Sequence, residues 1–475
     1  MSSDPHRWRI LAVVATAFFM TILDVSIVNV ALPSIGNDLN FSQENLQWVI
    51  TAYAIAFGGF LLLGGRAADL LGRRRVFLVG VVIFTAASLV CGLAQSEGML
   101  IASRAVQGFG GAIISPAALS IVMTSFEEGA DRNKAHGVWG ALGGSGAAVG
   151  VLAGGILTDY LSWRWIFFVN VPVGIAVLLL APRIVPESRS DVEEKHFDAL
   201  GAVLVSSGLA LLVYAISEAP IVGWGTARTI LLLIAAVALL IGFLVNERRV
   251  QEPLMPFHIF RVRTVAGANA VGFLLGAVIF ANFFLLTLYV QDVLSYSPIR
   301  TGLTFLATAG TAVLAAGAAQ ALTTRFGAKP IIIIGLALLT GAMVWYSQVP
   351  EHGHFLSDLL PGYLMVGVGI AFAFVPVSIA ALAGVQEREA GLASGLINTS
   401  QQIGGAIGTA VVSTVFATHL KSLAGAARPT LADLAHAYGY AFWPLVFFGA
   451  AGIVVAFTLI RRDEMAESPA AAPIA

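Results

Sequence analysis

Residues 10–33 read ILAVVATAFFMTILDVSIVNVALP. Asp24 is the one charged residue in this run, which is preceded by Arg7 and Arg9 and ends on Pro33. A helix rises 1.5 Å per residue, so about 20 such residues cross the roughly 30 Å hydrocarbon layer of a bilayer. The run is too long for the apolar core of a signal peptide and lacks a persuasive small-residue cleavage site, so it reads as an uncleaved first span.

The pattern then repeats. Apolar runs occupy Ile10–Leu32, Trp48–Ala67, Val76–Ala94, Leu100–Met123, Val138–Leu157, Ile166–Ile184 and Ala199–Ser217. They continue over Ile230–Val245, Val265–Val290, Leu303–Leu322, Ile331–Ser347, Leu360–Leu382, Leu396–Phe416 and Ala441–Ile460. Fourteen spans are expected, the eighth being the shortest. Composition agrees: 58% of residues are hydrophobic, 11% are charged, and the mean hydropathy is +0.86. A water-soluble domain of this length needs a far more charged surface. The net charge of -1 gives no field that would draw nucleic acid. Cys91 is the single cysteine, lies in an apolar run, and reads as core filler.

Charge placement orients the chain. With fourteen spans starting from the cytoplasm, 20 of the 26 Lys and Arg fall on the cytoplasmic side. Five, Arg164, Arg228, Arg300, Lys421 and Arg428, fall opposite, and Arg104 lies within a span. This bias places both termini in the cytoplasm.

Segment composition divides the runs as six, two and six. A charged stretch, Pro186–Phe197, follows the sixth run; a basic connector with two prolines, Asn246–Thr264, follows the eighth and reads as lying along the membrane surface. The expected units are residues 1–185, 186–264 and 265–462, with a disordered tail at 463–475. Lys421–His436 reads as an external loop with room for a small helix. The halves echo one another: DLLGRRR at 69–75 follows the second run and TRFGAK at 324–329 follows the tenth, with Gly80 and Gly335 each eight residues beyond the loop glycine. Parallel repeats place similar loops at matching positions.

Four motifs carry a resemblance. Residues 65–74 read GRAADLLGRR, 23–33 read LDVSIVNVALP, 104–110 read RAVQGFG and 163–174 read WRWIFFVNVPVG. In this order they resemble the major facilitator superfamily and, within it, the fourteen-span drug:proton antiporters. The resemblance implies an all-α polytopic membrane fold in which two extra spans lie between two six-helix halves. Ala67 and Leu70 depart from the usual residues of the first motif. Gly146, Gly150, Gly154 and Gly155 keep the glycines of the fifth-run exporter motif, while Val151 stands where that motif has proline. Glycines there let helix faces approach closely, whereas the missing proline removes an expected bend.

The candidate residues follow from cost. A charge within hydrocarbon is expensive, so Asp24 and Arg104 are expected to face the bundle interior and to pair. Burial favours a neutral carboxyl and a nearby guanidinium favours the carboxylate, so a change of surroundings would let Asp24 load and release a proton. Arg104 stays charged throughout. Asn29, Gln107, Asn282, Gln291, Asn398, Gln401 and Gln402 are further candidates for the proton or substrate path, and Asn170 can orient water or bond across helices. Gly65, Asp69, Gly72, Arg73 and Arg74 form an expected charge clasp that gates the halves. Gly146, Gly150, Gly154 and Gly155 are expected to pack helices.

The remaining signals bound the function. The 29 phenylalanines and 8 tryptophans suit amphipathic or apolar cargo. A Walker-type phosphate loop and an HExxH metal site are both missing from the sequence, so neither ATP hydrolysis nor a metal cofactor is expected. The resemblance implies protons as the coupling ion, a bacterial inner-membrane location and a sufficient monomer. Import or export of a specific organic metabolite and a non-transporting membrane receptor are the alternatives, separable by solute flux.

Overall fold

Lipid offers the backbone no hydrogen-bond partner, so a chain crossing it must satisfy its own amides, and the helix does this within a single segment. The computed structural model describes residues 5–126, 130–188, 198–250, 253–255, 257–382, 390–425 and 428–461. The charged stretch 189–197, Arg388 and the expected tail at 463–475 lie outside the described residues, as do the side chains of Asp69 and Arg132.

The described residues fold into long helices in antiparallel succession. The first six are α1 (Pro5–Leu39), α2 (Trp48–Leu71), α3 (Arg73–Gly92), α4 (Glu97–Ser125), α5 (Ala130–Tyr160) and α6 (Asn170–Ile184). A pair follows, α7 (Ala199–Val222) and α8 (Ala227–Glu247). The last six are α9 (Arg263–Asp292), α10 (Pro298–Phe326), α11 (Ala328–Tyr346), α12 (Leu360–Ala380), α13 (Ala390–Ala424) and α14 (Trp443–Leu459). Among the described residues, twelve helical stretches are long and apolar enough to cross a membrane. Shorter apolar stretches lie in α2, Trp48–Leu61, and in α5, Val149–Tyr160. The chain is an all-α polytopic membrane protein.

Several helices outrun their sequence-based ends. Pro33 was expected to close the first run, yet α1 passes through it to Leu39. A proline forfeits one backbone hydrogen bond, and in a bundle neighbouring helices absorb that loss. The eighth run gains a turn because Thr226 caps α8 by accepting from the amide of Thr229. The thirteenth, expected to end at Phe416, continues to Ala424. Beyond it Thr430 and Asp433 form a reciprocal capping box that starts a helix at Leu431–Ala441, so the expected external loop is largely helical.

Contacts fall into two bundles. In the first six helices α2 packs on α4, α3 on α4 and α1 on α5; in the last six α9 packs on α13, α11 on α12 and α10 on α12. Between the two sets, α5 lies against α10 and α2 against α13. Exchanging first for last six converts one of these seams into the other, as a two-fold relation between repeats requires. Small residues set the spacing. A side chain at Gly108 of α4 would come within 2.9 Å of the Tyr53 backbone, and one at Gly408 of α13 within 2.6 Å of Ala277 on α9. Helices α7 and α8 pack on each other, and α7 lies over the α2·α13 seam, with Leu209 and Val213 set among Ala54, Ile55, Ala406 and Ala410.

The loop echo is a structural echo. Gly72 joins α2 to α3 at φ 108° and Gly327 joins α10 to α11 at φ 86°, left-handed conformations that glycine adopts without strain. Two residues on, Arg74 donates to the carbonyl of Val185 at 3.1 Å and Lys329 to that of Phe457 at 2.5 Å. A cation in a first helical turn opposes the helix dipole, and the carbonyls at the end of a neighbouring helix offset this.

Candidate functional site

The first half holds a polar network within its core. Arg104 and Gln107 share a face of α4 at i and i+3, Asp24 projects from α1, Ser88 from α3, and Asn170 opens α6. Nη1 of Arg104 donates to Asp24 Oδ2 at 2.5 Å and to Gln107 Oε1 at 2.6 Å, while its Nε donates to the carbonyl of Val49 on α2 at 2.9 Å. On the other carboxylate oxygen, Nε2 of Gln107 donates at 2.7 Å and Nδ2 of Asn170 at 3.0 Å. Gln107 also donates to Ser88 Oγ at 2.6 Å. The exposure of Asp24 is 0% and that of Arg104 is 1%.

The two deepest charges of the sequence thus meet, and each has further partners. Such a pair repays the loss of water only when the remaining lone pairs and protons are used. Removing one partner leaves the other as an uncompensated buried charge. The guanidinium is also flanked by aromatic faces, its Cζ lying 4.5 Å from the Tyr53 ring centre and 5.6 Å from that of Phe167. Chemically, this is a titratable carboxylate whose fixed countercharge and amide donors come from two other helices, α4 and α6. A shift of α1 against α4 and α6 would exchange those donors.

The remaining path candidates are spread along α1, α9 and α13. Asn29 bonds back to the Val25 carbonyl within α1 at 2.9 Å, and exposed Asn398 bonds back to Ser394 at 2.9 Å. Gln291 bridges the halves, donating to the Val30 carbonyl at 2.8 Å. Asn282 is buried, and its Oδ1 has no hydrogen-bond partner among the described residues; the same is true of Nε2 of Gln401 and Oε1 of Gln402. Gln401 faces α9, where a side chain at Gly276 would meet its backbone. Gln402 faces α2, its Cβ lying 3.1 Å from where a Cβ at Gly58 would sit. These residues therefore do not join the Asp24 network.

The expected gating loop is tied to the chain just beyond α6. Arg73 donates its backbone amide to the Ser188 carbonyl at 2.8 Å, and Arg74 its amide to Glu187 Oε1 at 3.1 Å. Arg74 and Arg75 approach the same carboxylate at 3.7 and 3.6 Å. Gly65 faces Pro116 of α4. The side chain of Asp69, an expected member of the clasp, lies outside the described ones.

The fifth-run glycines sit where helices cross. Side chains at Gly146, Gly150 and Gly154 would run into Ile22, Ser26 and Ile27 of α1, and one at Gly155 would come 2.7 Å from Ile299 Cα on α10. Across that crossing, a side chain at Gly302 would lie 2.7 Å from the Val151 carbonyl. Asp159 accepts from the Ile299 amide at 2.9 Å. The halves therefore close on each other at the end of the bundle opposite Gly72 and Gly327.

Sequence reasoning missed Tyr53, Ser88 and the Val49 carbonyl. A span that is apolar all round gives no facing signal for a hydroxyl, and a backbone carbonyl leaves no trace in sequence at all. Among the described residues no group of three or more His, Cys, Asp and Glu is arranged to hold a metal ion.

A helical bundle with a charged pair locked in its interior, and halves that meet along two equivalent seams, defines a polytopic membrane transporter. The sequence profile of the Major Facilitator Superfamily matches residues 14–409, and the chain belongs to that superfamily. It is 40% identical to the puromycin resistance protein pur8 of Streptomyces alboniger, over 99% of this chain and 95% of that protein. It is 38% identical to the cephamycin export protein CmcT of Amycolatopsis lactamdurans, over 92% of this chain and 89% of that protein. Among solved structures, the peptide transporter POT in complex with sulfate superposes with a TM-score of 0.69 at 15% identity, covering 96% of this chain and 95% of that one. At that identity the likeness is one of fold. The chain is a transporter related to drug and antibiotic resistance proteins, and not an enzyme.

Proposed function

We propose that the protein exports amphipathic or hydrophobic small molecules in exchange for protons, by alternating access between two six-helix halves. The observation that carries this reading is the Asp24–Arg104 pair, a titratable carboxylate buried in hydrocarbon and held by donors from other helices. The resistance and export proteins that cover nearly the whole chain support the direction and the cargo class.

In this reading the chain makes fourteen spans. Support comes from α2 and α5, helices of 24 and 31 residues that join the twelve longer apolar stretches. The units are 1–185, 186–264 and 265–462, both termini lie in the cytoplasm as the basic residues suggest, and one chain suffices. Asp24 carries the proton, Arg104, Gln107 and Asn170 set its affinity, and the loop from Gly65 to Arg74, with Asp69, gates the cytoplasmic end. Asn29, Asn282, Gln291, Asn398, Gln401 and Gln402 line the path.

Proteoliposomes with an imposed pH gradient and a panel of amphipathic antibiotics test this. Expected is uphill movement of at least one compound that collapses with a protonophore. Movement indifferent to the gradient would remove proton coupling, and no movement of any compound would remove the cargo class.

A further inference from the structure

Helices α7 and α8 do not fill the seam they cover. A cavity of about 270 Å³ remains, walled by Gly58 of α2, Leu209 of α7, Leu244 of α8 and Ile403 of α13, with Leu254 and Met255 of the connector at its end. Among the described residues, Thr399 is the one polar side chain on its wall. Water needs two to four polar partners to occupy a buried space, and this one does not offer them. Leu244 lines the cavity and is 41% exposed. The medium around the apolar faces of a membrane-spanning bundle is hydrocarbon, which matches this lining.

The end of the cavity has a sign. Leu240, Leu244 and Arg248 follow at i, i+4 and i+8, so the face of α8 that walls the cavity leads to an arginine. Arg248 caps α8 with its guanidinium 5.7 Å from the Phe257 ring centre, two residues beyond Met255. The backbone amide of Met255 donates to Glu247 at 2.7 Å, which holds the connector against the end of α8. Arg249, Arg261 and Arg263 are exposed at the same end. Cations at the rim of a membrane-facing apolar space match an anionic headgroup.

We propose that this cavity is a lipid site that takes one acyl chain of an anionic phospholipid, with the headgroup phosphate on Arg248 and Arg249. Its walls come from both halves and from the extra pair, so the bound chain senses their relative position. A lipid that prefers one arrangement of the halves shifts the balance between them, and the halves in turn change its affinity by the same factor.

The test counts lipid and needs no transport, so it stands apart from the export reading. The full-length protein is purified in detergent with equal phosphatidylglycerol and phosphatidylcholine, washed, and examined by native mass spectrometry. Expected is one retained phosphatidylglycerol per chain, with a photoreactive acyl chain labelling Leu244 or Met255. The exposed double variant Arg248→Gln/Arg249→Gln should lose that headgroup preference by about tenfold. Leu209→Trp, checked for helicity and monodispersity, should lose the retained chain while keeping the arginines. Should Leu209→Trp misfold, the double variant and the labelled residues still decide the question. Equal retention of both lipids in wild type, no retained lipid, or labelling confined to other faces of the bundle would each overturn the proposal.

Discussion

Asp24 and Arg104 are eighty positions apart, yet one nitrogen of the arginine serves both that carboxylate and Gln107, whose amide returns to the same carboxylate. The result is a closed three-residue ring, with Val49, Ser88 and Asn170 tying it to three further helices. Moving α1 against α4 strains several of these bonds together.

Neutralising the carboxylate should therefore do more than lower stability. Asp24→Asn leaves the Arg104 guanidinium buried beside a neutral group, a change that costs about 3–5 kcal/mol where a buried pair is broken. Where the protein still inserts, gradient-driven flux in proteoliposomes should fall by more than about tenfold while downhill exchange persists. Driven flux at the wild-type level would take Asp24 out of the coupling.

Arg104→Lys keeps the charge and loses the geometry. An ammonium is a single nitrogen and cannot reproduce the Nε contact to Val49 together with the Nη1 contacts to Asp24 and Gln107. At least one buried acceptor then goes unserved, at about 1–3 kcal/mol. A lower melting temperature and a reduced driven rate are expected, both milder than in Arg104→Ala, and a lysine variant equal to wild type would show that charge alone matters.

At the turn from α2 to α3, Gly72→Ala meets two obstacles. The backbone stands at φ 108°, and the new Cβ would lie 2.8 Å from Glu187 Oε1. Strain of this kind costs about 1–3 kcal/mol. Gly327→Ala shares the left-handed backbone, with φ 86°. Both variants should lower thermal stability in detergent, and Glu187→Ala, which removes the atoms in the way, should partly relieve Gly72→Ala but not Gly327→Ala. Relief of both would mean that the Glu187 side chain acts globally rather than on its own loop.

What sequence made legible follows a physical line. Asp24, Arg104 and Gln107 stood out because polar groups in an apolar run need a reason to be there, and Gly72 and Gly327 because a repeat kept them at matching places. Which neighbour each group meets depends on helix rotation, and a span that is apolar all round does not encode it. So Tyr53 and Ser88 stayed hidden, Asn170 read as one candidate among several, and Gln401 and Gln402 gave no sign that they face different helices. Nor does the sequence say where α7 lies; its packing on Ala54, Ile55, Ala406 and Ala410 reveals which seam it covers.

The other seam offers the sharpest test of alternating access. Gly155 and Gly302 let α5 and α10 approach until backbone meets backbone, and Asp159 fastens the crossing through the Ile299 amide. If the halves must close here in one state and part in another, Gly155→Leu should forbid the closed state, since its side chain would enter the α10 backbone. The expected result is transport reduced by more than about tenfold, with normal insertion. A cysteine placed at Gln291, on the same end of the bundle, should become accessible to a membrane-impermeant thiol reagent in that variant and stay protected in a Cys91→Ala background that keeps Gly155. Protection unchanged by Gly155→Leu would mean that this crossing is a fixed joint, and the moving surfaces would then have to be sought along α2 and α13.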